Sequence, residues 1–488
     1  MAEHSLDTLE PQAIWKHFAA LNAVPRASKK EERVIAFMVN FGKSLGLDTT
    51  VDEIGNVLIK KAASPGMEDR KTVVLQSHLD MVHQKNNDTV FDFDTQGIKM
   101  YVDGDWVKAE GTTLGADNGL GVAAIMSILA STDIVHPAIE ALFTIDEETG
   151  MTGALGLKGG LLTGEILLNL DTENDTEIDI GCAGGIDVTA TQAYTAEACP
   201  TGTVAYEITV KGLHGGHSGM DIHKGYANAN KVMNRMLYKA NERYGLRIAS
   251  LLGGSLRNAI PRESVAKVVV DADKTALFVE ELSLVAKEIQ QEFATTEPEM
   301  EILIELRDAA GETVLPLAVQ KNLINSVYAA LNGVYRMSAD FDDLVETSNN
   351  IAKVEASAAH ISIQCLTRSS VETSKLDLAH ALQATFELGG FNVQFSGSYP
   401  GWAPNPNSEI LEVLKSVYYR QHGEAPEVVA CHAGLECGIL GTNYPDMDMI
   451  SFGPTILGAH SPAERASVSS VQKFWHFLLD ILRETPGK

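Results

Sequence analysis

Three apolar runs that each stop at a polar side chain constrain this chain most. Residues 72–77, 139–145 and 165–170 are short and rich in aliphatic side chains, apolar at consecutive rather than alternate positions. A strand apolar on both faces has to be covered on both faces, which points to a mostly parallel sheet flanked by helices. Between the first two runs, residues 120–129 have helical length and composition, opened by Asp117-Asn118-Gly119. The fold class expected is therefore α/β. In such sheets ligands sit beyond the carboxyl ends of the strands. His78, Asp146-Glu147-Glu148 and Asp171 fall there.

The texture changes near residue 189. Residues 203–210 and 360–366 alternate like half-exposed strands, and each leads through a turn to a helical stretch, 227–241 in the first case. Strand, turn and helix thus occur twice, which predicts two related α+β halves. Residues 398–407, dense in Pro, Gly, Asn and Ser, mark a boundary. Beyond it a helix (409–419), a strand (447–452) and a final helix return to the first character. The organisation expected is a discontinuous α/β catalytic domain, 1–186 and 402–488, interrupted by an α+β lid domain at 187–401.

Charge excludes one class of partner. With 38 Lys+Arg against 65 Asp+Glu, the net charge of −27 argues against nucleic acid, whose binding rests on neutralising phosphates with basic side chains. The apolar run 122–129 is far short of the roughly 20 residues that span a bilayer, so no membrane is expected. The start, Met1-Ala2-Glu3-His4-Ser5-Leu6-Asp7, has no charged-then-apolar leader. Five scattered cysteines fit a reduced cytoplasm better than a disulfide framework. Cys431 and Cys437, with His432 between them, lack zinc-finger spacing and read as inert thiols.

Five segments offer metal-ligand side chains. In Ser77-His78-Leu79-Asp80, an extended His-x-Asp puts both side chains on one face, so His78 can bind a metal while Asp80 orients its ring. Asp117 in Leu114-Gly115-Ala116-Asp117-Asn118-Gly119 can be a ligand, or simply a helix cap. This loop lacks the spacing and the lysine of a phosphate-binding loop. Asp146-Glu147-Glu148 packs three acids together, costly unless cations or shared protons relieve them. Asp171 ends the third strand, and Gly458-Ala459-His460-Ser461-Pro462 adds a histidine. Two histidines and three carboxylates are too many for one open tetrahedral zinc but suit two metals about 3.5–4 Å apart.

The ordered set of motifs, with Gly215-Gly216-His217-Ser218-Gly219, resembles the aminoacyl-histidine (cytosol non-specific) dipeptidases, co-catalytic zinc exopeptidases related to carnosinase and carboxypeptidase G-type enzymes. The resemblance spans the whole chain. It implies two Zn2+ (Co2+ or Mn2+ substituting) bridged by Asp117, with His78 and Asp171 completing one site and Glu148 and His460 the other. It implies Glu147 as general base and acid, Asp80 holding His78, a cis Asp117–Asn118 peptide, and His217 as an oxyanion donor. Arg368, just after the second alternating strand, is the candidate for the substrate carboxylate, since guanidinium pairs bidentately with it. Asn258 is the candidate for the substrate backbone, and Gly434 lies in a segment resembling one that lines the substrate pocket. The expected partners are small peptides and a second copy of the chain, joined through the lid. The expected activity is hydrolysis of unblocked dipeptides, including Xaa-His. A tripeptidase or deacylase on the same scaffold is the close alternative, and a non-catalytic metal- or nucleotide-binding protein the distant one.

Overall fold

The strand Val73–His78 is buried at all positions, and so is Ile139–Thr144 beside it. Both lie inside an eight-stranded sheet in a computed structural model that describes residues 6–86, 88–241, 243–308, 313–357, 359–432 and 434–488. Residues 1–5, most of the start examined for a leader, and Ala433 lie outside the described residues. The chain divides into two compact units: Met1–Gly181 with Trp402–Ala430 and Leu435–Lys488, and Cys182–Gly401 with Cys431–Gly434.

In the first unit the middle of the sheet is parallel: Ile139–Thr144, Val73–His78, Ile166–Asn169 and Asp448–Ser451 run the same way. Val57–Lys61 and Asp48–Val51 extend one side antiparallel, and Glu177–Cys182 pairs antiparallel on the other. The parallel centre therefore aims three strand ends at the same edge; His78 closes one, and Asp146 and Asp171 follow the other two. Helix Ala116–Ala130, apolar along almost its whole length, packs on Val73–His78 and is buried nearly throughout. A small antiparallel sheet joins Met100–Asp103, Trp106–Ala109, Arg465–Ser467 and Ile456–Leu457, and the loop between its last two strands carries His460 and Glu464.

The second unit is built on a nine-stranded antiparallel sheet. Thr203–Lys211, Arg247–Gly253, Ser264–Asp271 and Glu301–Arg307, with helices Ala229–Ala240 and Thr275–Glu292, form a β-α-β-β-α-β half. Gly184–Ala193, Val345–Ser357, His360–Ser369 and Asn392–Tyr399, with helices Leu317–Ala329 and Glu372–Leu388, form another with the same strand order. The first half is inserted into the second after Gly184–Ala193, and the two join where Arg247–Gly253 pairs with Val345–Ser357. Helix Thr275–Glu292 shows why such helices form: Phe278, Leu282, Ala286 and Ile289 recur at helical spacing and are its buried stripe. One expectation is corrected. Arg368 lies within the strand His360–Ser369 rather than after it, because pairing with Gly184–Ala193 continues through Ser369.

Candidate metal and catalytic site

Asp117 stands where two histidines meet. Its Oδ1 is 3.1 Å from His78 Nε2 and its Oδ2 is 3.2 Å from His460 Nε2. Asp171 Oδ1 is 3.5 Å from the same His78 nitrogen, and Glu148 Oε2 is 2.9 Å from the same His460 nitrogen. One ligand atom each from His78, Asp117 and Asp171 fits within 4.8 Å, and the same holds for Asp117, Glu148 and His460. The five residues predicted as ligands thus form two triads sharing one carboxylate. Asp117 does not cap its helix: no side-chain cap bond is made there, and Asp117 and Asn118 have non-helical backbone angles. The Asp117–Asn118 peptide is cis.

The loops that carry these groups are held from behind. Glu464 accepts four backbone N–H groups, with Oε2 taking those of Leu114 and Gly115 at 2.7 and 3.0 Å. Its Oε1 takes those of Ala116 and Asp117 at 2.7 and 3.3 Å. Arg26, fully buried, donates to the carbonyls of Leu79, Asp80 and Gly115 at 3.1, 2.9 and 2.6 Å, tying the His78 strand end to the Asp117 loop. Asn118 donates to Leu170 O at 3.0 Å and also to Asp171 Oδ1. Sequence reasoning missed Glu464, Arg26 and Asn118. The acid four residues after His460 was the available signal for Glu464.

Asp80 serves two neighbours. Its Oδ1 is 3.4 Å from His78 Nδ1, within ion-pair range though without an aligned hydrogen bond. Its two oxygens also accept the amides of Glu147 and Glu148 at 3.0 and 3.3 Å, and Ser28 Oγ donates to it at 2.7 Å. These bonds and His78 hold its carboxyl down at about 2 against the opposing effect of burial. Glu147 has a ligand atom within 4.8 Å of His78 and Glu148. Burial first, then repulsion from Asp171, Glu436 and Glu148, pushes Glu147 well above the usual carboxylate range. Glu31, Asp80 and Asp146 form another acidic group. Its oxygens are taken up internally, Glu31 by the amides of Lys29 and Asp146 and Asp146 by the Thr149 and Thr152 hydroxyls.

The donor set fits divalent cations. Hydrogen bonds to Asp117 and Glu148 raise His460 to about 11, while burial raises Asp171 to about 6 and Glu173 to about 8. Three carboxylates, Asp117, Glu148 and Asp171, thus surround two imidazoles, with Glu147 and Glu173 near them. Glu148 Oε1 is buried and lacks a hydrogen-bond partner. Imidazole and carboxylate donors in this combination suit zinc and similar ions.

In the second unit, His217, Asn258 and Arg368 come together. His217 pairs with Ala259, and Ser218 N donates to Asn258 O at 2.8 Å. His217 Nδ1 accepts the amides of Gly219 and Met220 at 3.2 and 3.0 Å, which puts the ring proton on Nε2. Burial and the nearby Arg368 lower its pKa, so the ring is a neutral donor. Arg368 is buried, bonded to Tyr399 Oη at 2.8 Å and more weakly to Ser218 Oγ at 3.4 Å. Among the described residues no carboxylate forms a salt bridge with it. Asn258 is exposed and Gly434 partly buried.

Residues 74–484 match the model of peptidase family M20/M25/M40. The chain belongs to that family. Its similarity to the cytosol non-specific dipeptidase of Escherichia coli is 42% identity over 484 residues, 99% of each chain. The aminoacylhistidine dipeptidase of Vibrio alginolyticus has the same M20 fold at 43% identity and a TM-score of 0.95, with 99% of both chains covered. Aminopeptidase PepT of Bacillus cereus shares the fold alone, at 15% identity and a TM-score of 0.57, over 98% of this chain and 99% of that one. Among the described residues no two cysteines form a disulfide, and no helix is long and apolar enough to cross a membrane.

Proposed function

We propose that this M20 chain is a cytoplasmic di-zinc dipeptidase that hydrolyses unblocked dipeptides, Xaa-His among them. The observation that carries the reading is Asp117, with one oxygen against His78 and the other against His460, each histidine flanked by a further carboxylate. Asp117 would be shared by the two Zn2+, with His78 and Asp171 holding one and Glu148 and His460 the other; Co2+ or Mn2+ could substitute. When bound, the two ions lower the pKa of water and polarise the scissile carbonyl.

Glu147 takes the water proton, the hydroxide adds to the carbonyl carbon, and Glu147 returns the proton to the amine nitrogen as the C–N bond breaks. Its raised proton affinity suits a group that must hold this proton between the two steps. Asp80 aims the base through the amides of Glu147 and Glu148. His217 supplies its Nε2–H to the oxyanion. Arg368 pairs with the substrate carboxylate, Asn258 binds the substrate backbone, and Gly434 permits close approach. These four roles in the second unit rest on the resemblance, as does a homodimer through that unit. The names of the two close relatives support the substrate class.

The test is metal analysis with hydrolysis of a dipeptide panel before and after chelation, using free, N-acetylated and C-amidated forms. Two ions per chain and cleavage confined to unblocked dipeptides are expected. Equal cleavage of N-acetylated substrates would favour a deacylase, and cleavage of tripeptides alone a tripeptidase.

A further inference from the structure

Beneath the ligand cluster lies a layer of polar side chains that the roles above leave unused. On one face of the central sheet, Val74, Leu142, Leu167 and Met449 share an apolar cluster with Cys437, Ile439 and Leu440 of helix Glu436–Asn443. Two residues further along the same strands, and so on the same face, stand Gln76, Thr144, Asn169 and Ser451, all buried. Gln76 Nε2 donates to Thr144 Oγ1 at 3.1 Å, Asn169 Nδ2 to Gln76 Oε1 at 2.5 Å, and Ser451 Oγ to Asn169 Oδ1 at 2.5 Å. Glu436 closes this row, its Oε2 accepting from Gln76 Nε2 and Thr144 Oγ1 at 2.6 and 2.7 Å. Two residues beyond Gln76 and Asn169 come His78 and Asp171, and Thr144 leads into Asp146-Glu147-Glu148.

Glu436 is 1% exposed, and its other oxygen, Oε1, has no hydrogen-bond partner. Among the described residues no Lys or Arg forms a salt bridge with it. Asp171 and Asp80 are near enough to repel its charge, and His78 to attract it. A buried carboxylate with a bare oxygen and no cation of the protein's own is costly. A side chain present only to fill this layer would be better as an amide or a hydrocarbon.

We propose that Glu436 is a positioning residue of the metal centre. Through the buried row it holds in register the strand ends that lead to His78, Asp171 and Glu147-Glu148, and its buried carboxyl, which no Lys or Arg pairs with, strengthens the hold on the two dications. The proposal rests on the two-metal reading above. It is tested by titrating the metal-free full-length chain with Zn2+ against a competing chelator, alongside thermal unfolding of the metal-free form, for wild type, E436Q and E436D. E436Q should bind Zn2+ about 10–100-fold more weakly, the range for loss of a residue that supports a ligand. Its metal-free form should unfold no earlier than wild type, and E436D, which keeps the carboxyl, should bind more tightly than E436Q. Wild type taking up two ions and E436Q binding them equally well would overturn this proposal alone. Failure of metal-free E436Q to fold would make Glu436 a plain structural anchor and overturn it too. Wild type taking up fewer than two ions would overturn the two-metal reading, and this proposal with it.

Discussion

Replacing Glu464 by glutamine puts an amide NH2 where a carboxylate oxygen meets backbone donors. In the wild type each oxygen serves two N–H groups, three of the four bonds being 3.0 Å or shorter. Glutamine keeps one oxygen, so two amides lose their acceptor and face an N–H instead. A hydrogen bond to a charged group contributes about 1.5–3 kcal/mol, and a buried donor left unpaired costs about 1–3 kcal/mol. The bond to Asp117 N is the weakest at 3.3 Å, and relaxation of the loop recovers part of the loss. The expected net destabilisation is about 3 kcal/mol. All four tryptophans, Trp15, Trp106, Trp402 and Trp475, lie in the unit that contains Glu464, so their fluorescence follows that unit in a denaturant titration of the metal-free chain. The midpoint should fall with an unchanged slope. Zinc affinity should fall as well, because the loop held by Glu464 presents Asp117. An E464Q chain within about 0.5 kcal/mol of wild type, binding both ions normally, would refute the idea that this carboxylate holds the bridging loop.

Glu147→Gln should keep the metal stoichiometry while kcat falls about 10²–10⁴-fold, the range for loss of a general base; metal analysis of the purified variant separates this from loss of a ligand. Arg368→Ala should raise KM for unblocked dipeptides more than it lowers kcat, because the substrate carboxylate loses its partner, and steady-state kinetics on one dipeptide separates the two constants. Burial, then Arg368, His217 and His223, lowers His432 from 6.5 to about 3, so the folded chain holds this ring neutral where the unfolded chain protonates it. Its contribution to stability is complete above pH 6.5 and drains away as pH falls toward 3, with a ceiling of roughly 4–5 kcal/mol. Denaturant titrations between pH 7 and 4 should show that decline, and His432→Asn should flatten it.

The candidate ligands were legible in the sequence because their signal is local. A buried strand ends where its side chains turn polar, so His78, Asp146 and Asp171 advertised themselves as the last features of apolar runs. The repeated strand, turn and helix likewise announced two halves in the insertion. The nesting of one half within the other was hidden, since the pairing of Arg247–Gly253 with Val345–Ser357 joins segments about a hundred residues apart. The same limit hid Glu464 and Glu436, whose partners lie some 350 and 360 positions away. Glu436 reads locally as one more charge in an acidic chain, and the place of Glu464 four residues after His460 hints at a role without naming its distant donors. Arg26 in turn reads as an ordinary surface cation.

Which residue types can hold a dication, and that they close strands of a covered sheet, followed from the order of side chains along the chain. That Asp117 faces two histidines at once, and that buried carboxylates brace it from behind, was decided by packing. Backbone amides and lone pairs separated by hundreds of residues find one another only when the sheet and its loops close.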